Sequence, residues 1–323
     1  MDITVGTFNL NNLFSRYNFT AEVEIVQAGG IEVDGSVRFT FAEPLGYMLR
    51  TYSGRLVQAK PAQERKIVAD RIRAIDVDVL AVQEVEDIGV LRQFALEDLA
   101  GMYPHQVLVE GNDQRLIDVG LLSRYPIGSV TSWRFAVHPE EPNGPIFSRD
   151  LLEVEILDPT RKRRLLTVFN THLKSNYIRW DEDPAVANPH IVNRRRRQAE
   201  SIAEIVAART RPGSSYVVTG DMNDGPASAT LAAFRAAGWV DGLASPQETR
   251  PAKREQHAAD TASHPAWTHR YKPRGAAPQF ELYDQVWLSP ALARKQTAAW
   301  IDRRTRHAGD GSDHDPAWVT VRV

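Results

Sequence analysis

Apolar runs that end on a carboxylate, an amide or an imidazole recur along this chain: TFNLNN, LAVQEV, FNTHLK, VTGDMND and GSDHDP, spread over some three hundred residues. Each run reads as a buried strand, and each polar terminus as a strand exit, where the strand fixes position and the loop frees the side chain. The termini are Asn9, Glu84, His172, Asp221, Asn223, Asp313 and His314. One rim of the sheets should collect them.

The rest of the chain supplies strand-like and helix-like segments in alternation, without repeats or low-complexity tracts. ITVGTFNL begins as a strand; Pro61 opens a helix with Val68, Ile72 and Ile75 on one face, and DVDVLAVQEV returns as a strand. A short helix around Leu91 to Leu99 precedes three strand candidates, HQVLVE, DVGLLS and SVTSWRFAV. LLEVEIL and RLLTVFNTHL should form a hairpin through Asp158-Pro159-Thr160. Asn193 is placed to cap a helix whose stripe is Ala199, Ile202, Ile205 and Val206, leading into SYVVTGD. A helix near Ala227 to Ala236, the strand DQVWLS and a closing AWVTVRV complete the pattern. Two sheets with helices outside them would use all these pieces, in an α/β fold. No linker divides the halves, so 1–323 reads as a single domain.

Composition agrees with a packed enzyme-sized domain: 323 residues, 42% hydrophobic, are enough for a large core. No run approaches eighteen apolar residues. A net charge of -2 confines any nucleic-acid contact to local patches. The absence of cysteine excludes disulfides and thiol catalysis. With no basic and apolar leader ahead of ITVGTFNL, the expectation is a cytoplasmic chain, or a secreted one whose signal was trimmed.

The polar termini are an inventory for holding a hard divalent cation and hydrolysing a phosphate ester. A phosphodiester is anionic and repels hydroxide, so a catalyst must neutralise phosphoryl oxygens and supply a base for water. Magnesium prefers oxygen ligands and takes few protein carboxylates, which suits a sparse Asn/Glu/Asp set better than zinc.

Taken in order, from TFNLNN to SDHDPAWV with DVGLLSRYPI, RDLLEVEI and YDQVWLS between, these motifs resemble the endonuclease/exonuclease/phosphatase superfamily, the group of DNase I. The resemblance implies a four-layered α/β sandwich, two packed mixed sheets flanked by helices, and a Mg2+-dependent phosphoesterase that also accepts Mn2+. It makes Glu84 the principal metal ligand, with Asn9 beside it and Asp313 adding a carboxylate. Asp221 and Asn223 would orient the nucleophilic water, and His172 would donate to a phosphate oxygen, with Asn170 as scaffold or phosphate contact. Asp284 and the Asp313-His314 pair look like an Asp-His dyad in which the histidine takes a proton from water or stabilises charge. Asp221 and His314 both remain candidates for the base. Arg124 and Arg149 fall where the family carries rim or scaffold arginines, and Asp315 reads as a turn residue. Singly, each residue has an ordinary alternative: a strand-end carboxylate for Glu84, a cap for Asn9, a core imidazole for His172.

The chain departs from the family pattern where many members carry an aspartate two residues after the first asparagine, since that position is Asn11, a further candidate substrate contact. A long insertion at about 15–60, with Tyr17, Phe19, Phe39, Phe41, Tyr47 and Tyr52, is expected to overhang the site. Gln247 to Arg274 is long, polar and basic. Arg194 to Arg197, Arg161 to Arg164 and the cluster Arg303, Arg304, Arg306 offer contacts for a nucleic-acid backbone or simply hydrated surface. Four arginines at a helix start would oppose the helix dipole and call for an anion or acidic neighbour. The leading expectation is a monomeric nuclease acting on DNA or RNA; the alternative is a phosphatase or phosphodiesterase of a small or lipid phosphoester. A non-catalytic binding module would need a metal or dyad residue to be missing, and none is.

Overall fold

The computed structural model describes residues 1–14, 59–113, 115–178, 182–247, 266–271, 275, 277, 279–303 and 311–323, and the backbone alone of 19–24, 27–28, 31–32, 36–41 and 248. In chain order the principal elements are β1 (Asp2–Leu13), α1 (Ala62–Ile75), β2 (Val79–Val85), α2 (Ile88–Glu97), β3 (His105–Leu108), β4 (Asp118–Ser123), β5 (Ile127–Ser132), β6 (Leu151–Leu157), β7 (Arg164–His172), α3 (Pro184–Arg209), β8 (Tyr216–Asp221), α4 (Ala232–Ala236), β9 (Val240–Asp241), β10 (Gln247–Glu248), β11 (Asp284–Leu288), α5 (Pro290–Ala293), β12 (Gln296–Ile301) and β13 (Ala317–Arg322). The strands make a seven-stranded sheet, β10-β12-β13-β1-β2-β4-β3, and a six-stranded sheet, β9-β11-β8-β7-β6-β5. Both mix parallel and antiparallel pairs.

Alternation along each strand divides the core into three layers. Ile3, Val5, Val79 and Val119 of the first sheet meet Val154, Val168, Val217 and Val286 of the second. The opposite face of the first sheet, with Phe8, Leu80 and Val82, packs on Val68 and Ile72 of α1 and on Leu91 and Phe94 of α2. The opposite face of the second, with Phe169, Val218 and Trp287, packs on Ala199, Ile202 and Val206 of α3 and on Phe234 of α4. Helix, sheet, sheet and helix are thus the four layers expected from the sequence.

Asn170 of β7 ties the sheets together. Its amide donates to the carbonyls of Val82 and Gly120, and its Oδ1 accepts from Gln83 Nε2 at 2.8 Å. Its side chain is fully buried, with its amide and carbonyl both engaged across the interface.

Several boundaries differ from expectation. α3 starts at Pro184, capped by Asp183, whose side chain accepts from Ala185 N, so Asn193 lies inside the helix and caps nothing. The strand read in SVTSWRFAV stops at Ser132, and the chain then turns with Ala136 N bonded to Trp133 O. β12 has no counterpart among the expected strands. The backbone of the insertion pairs Phe19–Glu24 with Ser36–Phe41; its aromatic side chains, and where it sits over the protein, lie outside what the structure describes. The same holds for 249–265 and for Arg304 and Arg306.

Asp150, fully buried just before β6, carries a pH-dependent cost. Burial pushes its carboxyl up to about 7, against hydrogen bonds that include Trp133 N, while Oδ2 has no partner among the described residues. A carboxyl raised on folding is stable while protonated, and that stability is lost as pH climbs from the unfolded value near 4 to about 7. Asp150→Asn should therefore gain stability relative to the wild type by roughly 2–3 kcal/mol between pH 5 and pH 8, read by denaturant unfolding; an unchanged difference would contradict it.

Candidate active site

Strand register brings the sequence candidates to one rim. β7 and β8 run parallel with His172 opposite Asp221, and β11 runs antiparallel to β8 with Asp284 opposite Asp221. β1 and β2 run parallel with Asn9 opposite Gln83, so Glu84 is next along the same edge. β13 pairs antiparallel with β1, Ala317 opposite Thr7, which returns His314 beside Asn9.

Local backbone then aims the side chains. Glu84 sits at φ 61, where the β2 register shifts between Gln83 and Val85, and β1 shifts between Asn9 and Leu13, with Asn11 at φ 47 and Asn12 at φ 60. Such bulges redirect one side chain out of the alternation, at an energetic cost that the surrounding packing must hold. Gly220, before Asp221, has φ +132, and a Cβ there would stand 1.9 Å from Thr171 O, so only glycine fits.

Asp221 is the hub. Its Oδ2 accepts from Asn9 Nδ2 at 3.0 Å and lies 3.3 Å from His172 Nε2 and 3.8 Å from His314 Nε2, while Oδ1 accepts from Asn223 N at 2.9 Å. His314 Nδ1 lies 2.6 Å from Asp284 Oδ2, which makes Asp284 the dyad's aspartate. Burial alone would lower the His314 pKa, but Asp284 and Asp221 outweigh it and hold the imidazole well above its ordinary value. Burial raises the Asp221 carboxyl despite the opposing field of His314. His172, by contrast, is pushed far down by burial and by Arg149, and stays neutral; its Nδ1 finds no partner among the described residues.

Glu84 Oε2 accepts from Asn12 N at 3.1 Å. Burial raises its carboxyl, His314 opposes the rise, and Asp313 and Asp221 add to it. Asn9 Oδ1 accepts from Asn11 N at 2.9 Å. Carboxyls pushed toward protonation by burial, as at Glu84 and Asp221, next to an amide oxygen and with no thiolate in the chain, are a donor set that fits a hard divalent cation. Glu84 and Asn9 would hold it. Asp313 is more peripheral, its side chain 54% exposed and 3.8 Å from His269 Nε2.

The arginine candidates separate. Arg149, buried, reaches His172 Nε2 at 3.5 Å and Asp113 at 3.2 Å, so it belongs to the site. Arg124 does not: it follows the end of β4 that pairs with Val79 at the start of β2, and it is tied to Asp76. Arg161 to Arg164 lie at the start of β7, roughly 26 Å along the strand from His172. Arg194 to Arg197 sit within α3, past its first turns, so the dipole argument falls. The acidic neighbours exist nonetheless: Arg194 and Arg197 bind Glu141, Arg196 and Arg197 bind Glu140, and Arg195 binds Asp224.

Three side chains that brace the rim, Arg195, Thr268 and Arg71, were not read in that role from the sequence. Arg195 braces the loop after His172, bonding Lys174 O and Asn176 Oδ1. Thr268 accepts Asp284 N on its hydroxyl and Asp315 N on its carbonyl, locking both dyad strands. Arg71 donates to His314 O and to Asp315 Oδ1 at 2.6 Å, so Asp315 is a buried ion-pair partner beneath the site, not a turn residue alone. His269 bridges backbone to backbone with His314. Nothing but proximity in the fold marks these residues, although the placement of Thr268 and His269 fifteen or so residues before Asp284 follows the polar segment already noted.

A four-layered sandwich with this acid, amide and imidazole rim is a phosphoesterase fold. The chain matches the family model described as the Endonuclease/Exonuclease/phosphatase family over residues 6–314, and it belongs to that family. Among solved structures it is similar to an AP endonuclease from Archaeoglobus fulgidus (16% identity, TM-score 0.58, 99% of this chain and 100% of that one). It is also similar to an endonuclease/exonuclease/phosphatase from Bacteroides vulgatus (15%, 0.58, 100% and 99%) and to the human Nocturnin catalytic domain (13%, 0.56, 99% and 94%). At these identities the likeness is one of fold. No curated protein matches by sequence.

Proposed function

We propose that the protein is a divalent-metal-dependent phosphodiester hydrolase, a nuclease that cleaves DNA or RNA by attack of an activated water. The observation that carries the reading is the convergence on Asp221 of Asn9, Asn223, His172 and the Asp284–His314 pair, with Glu84 on the same rim. Asp221, its carboxylate fixed by Asn9 and Asn223, orients the water and takes its proton. His314, held by Asp284, presents Nε2 to the developing charge on phosphorus-bound oxygen. Arg149 adds positive charge behind His172. Mg2+ or Mn2+, when bound by Glu84 and Asn9, would neutralise the phosphoryl oxygens.

The nucleic-acid substrate is supported by a cavity of about 1070 Å³ beside Arg149, bordered by Arg115, Lys174, Tyr177 and His190. Its volume exceeds what one phosphate needs, and Tyr177, 62% exposed, offers a ring to a base. One observation favours the second reading, a small or lipid phosphoester: the arginines of α3 are neutralised internally and those of the β6–β7 hairpin stand at the far end.

Plasmid DNA, single-stranded RNA and bis-p-nitrophenyl phosphate, assayed with Mg2+ across a salt series, separate the two. A nuclease should degrade polymer and lose that activity with salt far faster than ester turnover. Intact polymer beside rapid ester hydrolysis would establish the second reading instead.

A further inference from the structure

We propose that His269, Asp313 and His314 form a second cation site, selective for a late transition metal such as zinc, whose occupation switches the hydrolase off. One ring nitrogen from each of His269 and His314 and one Asp313 oxygen lie within 4.8 Å of one another. A tetrahedral ion about 2.0–2.2 Å from each needs them near 3.4 Å apart; His269 Nε2 and Asp313 Oδ2 already stand 3.8 Å apart, with the Asp313 side chain half-exposed.

The two imidazoles are held for the task. A backbone bridge pairs His269 with His314, their ring centroids are 4.7 Å apart, and Tyr283 stacks on His269 at 5.0 Å and 16°. The Asp284 carboxylate occupies the Nδ1 side of His314, leaving Nε2 as the ligating atom. Carboxylate, histidine and metal in that order are the arrangement that orients and strengthens zinc-bound imidazoles. The rim around Glu84 and Asn9 offers oxygen only, so the two sites divide by ligand softness: hard cations to the oxygens, zinc, nickel or cobalt to the imidazole pair.

The inhibitory consequence rests on the hydrolase reading. His314 Nε2 is the atom turned toward Asp221. Coordination expels the Nε2 proton to solvent, occupies the freed lone pair and so excludes the ring from proton transfer or donation to phosphate. His269 takes no part in that chemistry, which makes it the residue to change.

The test uses the full chain with excess Mg2+, and Co2+ or Zn2+ alone as probe. His269→Phe keeps a ring stacked on Tyr283 while removing the ligand, and His269→Ala is its companion. Wild type should bind Co2+ with the visible absorption of a tetrahedral ion, and both variants should bind at least roughly 10-fold more weakly. With Mg2+ alone all three should hydrolyse bis-p-nitrophenyl phosphate equally, and Zn2+ that silences the wild type should spare His269→Phe. Equal Co2+ affinity and spectrum in wild type and His269→Phe would overturn the site. Absence of any hydrolysis in wild type would count against the proposed function alone, since Co2+ binding is read without substrate.

Discussion

Replacing His314 by alanine is expected to lower phosphodiester hydrolysis by about 10²–10⁴-fold, with little change in KM, and Asp284→Asn should cost nearly as much. The reason is the 2.6 Å contact between His314 Nδ1 and Asp284 Oδ2, which fixes the ring so that Nε2 faces Asp221. An asparagine there can donate as well as accept and no longer dictates which nitrogen carries the proton. Because the two act as one unit, the double variant should be hardly slower than His314→Ala alone. Initial rates on bis-p-nitrophenyl phosphate, with circular dichroism to confirm folding, decide it. Multiplicative losses would show that the two residues work separately.

Gly220→Ala should be among the most damaging single changes to the fold. The added Cβ would meet Thr171 O at 1.9 Å, on a backbone with φ +132, between the two strands that carry His172 and Asp221. Neither strand can retreat without parting the His172–Asp221 pair. A loss of about 3 kcal/mol or more is expected, with activity falling further than the folded fraction does. Gly144→Ala, with nothing within 4 Å, should change stability by less than about 0.5 kcal/mol. Thermal unfolding of the pair checks this, and similar melting temperatures would contradict it.

The layered architecture was legible because its apolar runs are short, rich in β-branched residues and bounded by polar exits, the pattern of strands covered on both faces. Six of the polar termini plus Asp284 then met at one rim, with Asp313 near its edge. What stayed hidden has physical reasons. The first turns of α3, from Pro184 to His190, are almost wholly solvent-facing and carry no apolar stripe, so the visible period began only near Ile191 and suggested Asn193 as the cap. β12 reads Gln-Thr-Ala-Ala-Trp-Ile, a short run whose strand-favouring Thr, Trp and Ile are broken by two alanines, and it is set by its pairing with β13. Asn170 looked like part of the chemistry, yet it lies one step back along β7 on the same face as the strand-end His172, and there its amide is spent on Val82 O and Gly120 O between the sheets. Whether an arginine serves substrate or scaffold depends on its partner, and Glu140 and Glu141 stand more than fifty residues from the arginines they neutralise.

The central claim is that Glu84, Asn9, Asp221 and His314 act around one divalent cation. It is tested most directly by titrating Mg2+ and Mn2+ into chelator-treated wild type and Glu84→Gln, with bis-p-nitrophenyl phosphate hydrolysis as the readout. Wild type should be silent without cation and saturably activated by it. Glu84→Gln, isosteric but neutral, should need at least roughly 10-fold more cation. Full activity in the presence of chelator, or an unchanged cation requirement in Glu84→Gln, would contradict the account.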